Sequence, residues 1–317
     1  MMASPAPWQI GLARIEGALP FLSPSLQAMI AARALRRLWA IHVRDYPFEN
    51  YGSQHEPNLD AHELMRTSYI PERNGFLSWV GRRGPPLLAD AARIALAAKD
   101  TPETFSSAFE NADRALERID AHLPSRDPAA TLAALVTELI EEELDFLESG
   151  TEVHVILGRP VDRAATRGAA WAASLAFAMR PHLFGLGGSG IAFAGLTPRS
   201  LFRPMREVAI GDIVADGIAT AAAIVRLDLD HVVRAEALGA ERLADRNSSS
   251  QALNCWRLLV GLGPMTRAET ARALGVTKRT ASQAGDVLQA ADLAQLQGRY
   301  GALALSRGFG TLEPVRY

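Results

Sequence analysis

The stretch "TRAETARALGVTKRTASQAGDVL", Thr266–Leu288, decides how the C-terminal part of this chain is read. Thr266 with Glu269 three residues later is a capping box, in which each residue satisfies a backbone donor of the other. A helix opening there turns Ala271 and Leu274 inward, and the small Ala271 permits close approach of the next helix. Gly275 supplies a turn that can take a positive φ. Thr277 is the next N-cap, and the helix behind it carries Ala281, Ala284, Val287 and Leu288 on one side. Two short helices joined at a glycine are therefore expected.

The opposite side of the second helix presents Lys278, Arg279, Ser282 and Gln283 near its N-terminus. Those residue types suit nucleic acid. An arginine fork matches O6 and N7 of guanine, a glutamine matches N6 and N7 of adenine, and a lysine suits phosphate as a point charge. Asp286, one turn on, would repel a duplex, so contact should end before it. Thr277 and Arg267 flank the same end. Upstream, residues 250–262 read as a helix with Leu253, Trp256, Leu259 and Val260 on one face, broken by Gly263-Pro264. Downstream, "LAQLQGRYGALALS" (293–306) reads as two short strands around Gly298–Gly301, placing Arg299 and Tyr300 at the tip.

In this order of elements, residues 250 to about 307 resemble the winged helix-turn-helix superfamily. The resemblance implies binding of double-stranded DNA, usually as a homodimer, and no catalysis. More loosely, the layout is similar to plasmid-borne alphaproteobacterial proteins that join a helical body to such a domain.

Charge agrees with this reading. The chain carries a net −2, but from Ser248 onward eight basic residues face four acids, a net +4, which leaves −6 on the remainder. A basic module on an acidic body points to nucleic acid for the module and leaves the body open to a protein partner.

The fold class expected is mainly α: a helical body over 1–243, a linker at 244–249 ("ADRNSSS" runs from 244 to 250), and the winged module at 250–317. Residues 1–20, with prolines at 5, 7 and 20, read as loosely ordered. Helices are expected at 23–46, 87–99, 101–122, 128–148, 162–179, about 212–226 and about 229–243, and a strand at 152–158. Residues 47–86 read as a long connection with short helical pieces.

Other motifs have simpler readings. "GLGGSG" (185–190) matches G-x-G-x-x-G but lacks the preceding strand of a nucleotide fold, so a packed loop is expected. His55, Glu56, Asp60, His62 and Glu63 gather metal-binding types without ligand spacing, and polar loop residues explain them. Glu138, Glu141, Glu142 and Asp145 form the solvated face of an amphipathic helix. The single cysteine, Cys255, is expected to be buried beside Trp256. Residues 181–197 carry no full charge, yet five glycines and a leading proline argue against a membrane span of ~20 apolar residues. No signal peptide, cofactor, metal or catalytic residue is expected, and the compartment expected is the cytoplasm.

The expected function is sequence-specific DNA binding by a transcriptional regulator or a plasmid or mobile-element maintenance factor. An assembly subunit that docks protein or nonspecific DNA is the alternative, and an enzyme with its site in the body is a third reading.

Overall fold

The computed structural model describes residues 5–45, 64–65, 70–122, 126–142, 146–147, 151–156, 159–164, 169–186, 191–203, 208–245, 250–297 and 301–306. They form a mainly helical molecule with two small antiparallel hairpins.

The centre is α2 (Pro24–Asp45). It starts at Ser23, whose Oγ accepts from Leu26 N at 3.3 Å, with Pro24 at the first helical position. Its apolar rows Leu35, Leu38 and Trp39 are fully buried. Before it runs α1 (Pro7–Ala18), where the sequence suggests loose order. The prolines there sit at a helix start, where a missing N–H is harmless, and Gly11 lets α1 press onto Ala222.

α4 (Pro86–Ala98) packs on α2 and α3 (Ile70–Arg83) packs on α4, with α5 (Glu110–Asp120) and α6 (Pro128–Glu142) following in the chain. A continuous α3 replaces much of the long connection expected before residue 86. Its Phe76, Leu77, Trp79 and Val80 are buried, and burial of that face outweighs its glycines and proline. The helix expected from 101 starts at Glu110 instead, after a short 3₁₀ turn. Residues 101–106 stay against α3, with Thr104 N bonded to Ser78 Oγ at 2.9 Å. His42 of α2, Phe76, Trp79, Phe109 and Trp171 then form a packed aromatic cluster with ring separations of 5.2–5.7 Å.

Strands β1 (Thr151–Ile156) and β2 (Arg159–Ala164) pair from Thr151↔Ala164 to Ile156↔Arg159. The second strand occupies the expected start of a helix. That helix, α7 (Ala170–Ala178), begins only after the hairpin and is buried on all sides.

The largest departure is α8 (Ile210–Arg242), one 33-residue helix in place of the two expected. The apparent break at Leu227-Asp228 is a buried ionic site. Asp228 accepts from Arg33 Nε at 2.8 Å and from Arg37 Nη2 and Nε at 2.8 and 2.5 Å. An acid in the apolar row thus faces two guanidiniums of α2, and the helix continues through it.

The C-terminal elements are α9 (Ala252–Leu262), α10 (Arg267–Leu274), α11 (Lys278–Ala290), β3 (Ala294–Gln297) and β4 (Ala302–Leu305). They share the core of the preceding helices. Gly261 of α9 crosses α2 at Ala32, and Trp256 lies against Gly239 of α8 while donating Nε1–H to Ala235 O at 2.8 Å.

Candidate nucleic-acid interface

The local chemistry of the stretch 266–288 builds its geometry. Thr266 Oγ1 accepts from Glu269 N at 3.3 Å and Glu269 Oε2 accepts from Thr266 N at 2.7 Å. After eight residues of α10, Gly275 takes φ 64° and ψ 30°, and Val276 N closes the turn onto Ala271 O at 2.9 Å. A side chain at Gly275 would meet no neighbour, so its glycine serves the left-handed backbone alone. Thr277 then caps α11 by accepting from Thr280 N at 3.2 Å.

α11 is sharply two-sided. Ala281, Ala284, Gly285 and Leu288 are buried. Thr277, Lys278, Arg279 and Gln283 are exposed, and Ser282 is half-buried. Among the described residues Lys278 and Arg279 make no hydrogen bond or ion pair, so both cations stand open to solvent at the positive end of a helix. Arg267 differs. Its Nη2 lies 2.6 Å from Asp286 Oδ1, which straps the start of α10 to the middle of α11 and offsets the acid expected to end the contact face. Arg299 and Tyr300 lie outside the described residues, between β3 and β4.

One element carries no local sequence signal. Met265, between α9 and α10, pairs with Leu303 of β4 through two backbone bonds of 3.0 and 2.8 Å. The β3–β4 hairpin is thereby stitched to the start of α10. Leu303 also packs on Gly285, where a Cβ would sit 2.7 Å from its Cδ1. A single paired residue has no periodicity, and the only hint is an apolar residue after Gly263-Pro264.

The flanking helices hold this unit from three sides. Lys99, at the end of α4, forms an ion pair with Glu269 of the capping box. Arg272 Nε donates to Ala98 O at 2.7 Å. Arg242, the last residue of α8, donates to Ala291 O, the C-cap of α11, at 3.1 Å, placing a cation at the negative end of that helix. Arg257 of α9 is paired with Glu236 of α8. The open face of α11 is consequently presented by a braced scaffold.

Of the other motifs, residues 55–63 lie outside the described set, as do Gly187 and Gly190. Gly185 takes φ 74° at the end of a 3₁₀ turn, Pro181–Phe184. Glu138 and Glu142 pair with Arg118 of α5, while Asp145 lies outside the described residues. Burial pushes the Cys255 thiol up to about 12, which removes its nucleophilic form near neutrality. Among the described residues no group of three or more His, Cys, Asp and Glu side chains is arranged to hold a metal. No described helix is long and apolar enough to cross a membrane. No protein-family model, curated protein or solved structure matches this chain.

Proposed function

We propose that the protein binds double-stranded DNA in a sequence-specific way through α11, as a transcriptional regulator or a plasmid or mobile-element maintenance factor. The order helix, single paired residue, two helices about a glycine turn and hairpin supports a winged helix-turn-helix. The observation that carries the reading is the N-terminal end of α11. Lys278, Arg279 and Gln283 are exposed there, while the opposite face is locked into a core. A helix so held enters a major groove end-on, with Arg279 and Gln283 one turn apart along the base edges and Lys278 on phosphate. The acidic body supplies assembly and a surface for protein partners.

The test begins with selection of duplexes from a random library by the full chain. Arg279→Ala is then measured on the enriched site. A loss of ~1–3 kcal/mol with relaxed preference at one base position is expected. Enrichment of no sequence, or unchanged affinity and preference in the variant, overturns the proposal. Weak, sequence-independent, salt-sensitive binding would instead favour an assembly subunit.

A further inference from the structure

We infer that the outward face of α8 is the surface on which two copies of this chain pair, antiparallel, about a two-fold axis beside Val233. Long surface helices usually turn charge to water. From Thr220 to Ala240 this face instead exposes Ala223, Leu227, Val233 and Ala237, with Leu227 and Val233 at 43% and 46% exposure. Its charges are few and ordered. Asp230 sits between Arg226, whose Nη1 is 4.0 Å from its carboxylate, and Arg234, whose Nε donates to its carbonyl at 3.1 Å.

That order is self-complementary in an antiparallel register. A two-fold axis passing between Asp230 and Arg234 sets Asp230 against the partner's Arg234, and by symmetry Arg234 against the partner's Asp230. The same operation lays Leu227 over the partner's Ala237, a large side chain on a small one, and brings the two Val233 side chains together at the axis. A parallel pairing would instead oppose like charges at every step. The occupant is therefore a second copy, because an isologous contact needs this reciprocal matching of acid to base and large to small.

The pairing also has a consequence for DNA, which rests on the function proposed above. Arg242, which caps α11, is ten residues from the axis, about 15 Å at 1.5 Å per residue, so the two capped ends lie about 30 Å apart along the rod. That is close to the ~34 Å of one duplex turn between half-sites.

The experiment is run on the full chain without DNA, so its outcome is independent of the DNA reading. Sedimentation equilibrium should give twice the 34.1 kDa chain mass. Asp230→Arg and Arg234→Asp should each weaken the dimer about tenfold or more by opposing like charges, and the double exchange should restore it. Val233→Cys should form an inter-chain disulfide on mild oxidation, with the buried Cys255 silent. A wild-type monomer overturns the inference. So does a dimer that neither single reversal weakens, or one that Val233→Cys does not cross-link. A confirmed dimer that selects no DNA sequence would leave this surface standing and remove the function proposed for α11.

Discussion

Asp228→Asn tests whether the ionic site between α2 and α8 holds the molecule together. In the native chain three guanidinium donors converge on its two oxygens, and all three side chains are within 7% of full burial. Each close pair contributes about 4 kcal/mol of attraction at an effective dielectric of ~20. Much of that only offsets the cost of burying the charges. Asparagine keeps the shape but has one acceptor oxygen, and its amide turns a donor toward Arg33 Nε or Arg37. The variant therefore retains the desolvation cost of two buried cations and loses most of the compensation, for a net loss of about 3–5 kcal/mol. At roughly 2–4 °C per kcal/mol, the melting temperature followed by circular dichroism should fall by about 10 °C. Replacing the three residues together with Arg33→Met, Arg37→Met and Asp228→Leu should recover most of that loss, because no charge is then buried alone. A loss below about 1 kcal/mol in Asp228→Asn would instead mean that solvent already screens the site and that it does not hold α2 to α8.

Acid should unfold the protein earlier than its carboxylates alone require. Burial holds the His42 imidazole down at about 3, and burial followed by the field of Arg33 holds His231 down at about 4. Both are neutral at pH 7 in the folded and unfolded chains. As pH falls below ~6.5 the unfolded chain binds the protons first, so stability drops with pH, by about 1.4 kcal/mol per unit for a fully buried imidazole. His231 is half-exposed and contributes less. Burial alone would raise the Asp228 carboxyl, but its two arginines more than offset this and set it below the ordinary value, which adds to the loss at lower pH. Melting temperatures between pH 6.5 and 4 check this, and His42→Gln should flatten the slope over that window. For Glu269, two substitutions separate its roles. Glutamine preserves the capping-box bond to Thr266 N but loses the ion pair with Lys99, whereas alanine loses both, so Glu269→Ala should cost about 1 kcal/mol more than Glu269→Gln in chemical denaturation, and equal costs would show that the cap contributes nothing.

Local chemistry is what the sequence makes legible. Thr266 with Glu269, Gly275 and Thr277 each act within four residues, so two helices and the turn between them can be read from the residues alone. The exposed end of α11 follows from the same spacing. What escapes depends on partners far along the chain. Asp228 resembles a helix break because Arg33 and Arg37 lie some 190 residues away. α1 reads as loose because its reason to be helical is Ala222 of α8. Met265 is invisible because one paired residue leaves no pattern. The strand β2 reads as helix because its register comes from β1 and not from its own residues. The two lysines illustrate both limits: Lys278 is legible from its place after a cap, while Lys99 acquires its role only where α4 ends beside Glu269.

These non-local contacts converge on α8. Asp228 ties its middle to α2, Gly239 and Ala235 seat Trp256 of α9, and Arg242 holds the C-terminal end of α11. Anything that shifts α8 along its axis must therefore move α9 and α11 with it, since packed cores and buried ionic sites change arrangement in discrete steps and do not stretch. The face of α8 left over after these attachments is the one bearing Leu227, Asp230, Val233 and Arg234. A partner seated there would contact the same rod that positions α11, within three turns of the Arg242 cap. In the proposed dimer, pairing and presentation of the α11 face are for that reason mechanically one problem: a change that tilts one α8 against the other would alter the distance between the two α11 ends, while leaving each capped helix and its open cations intact.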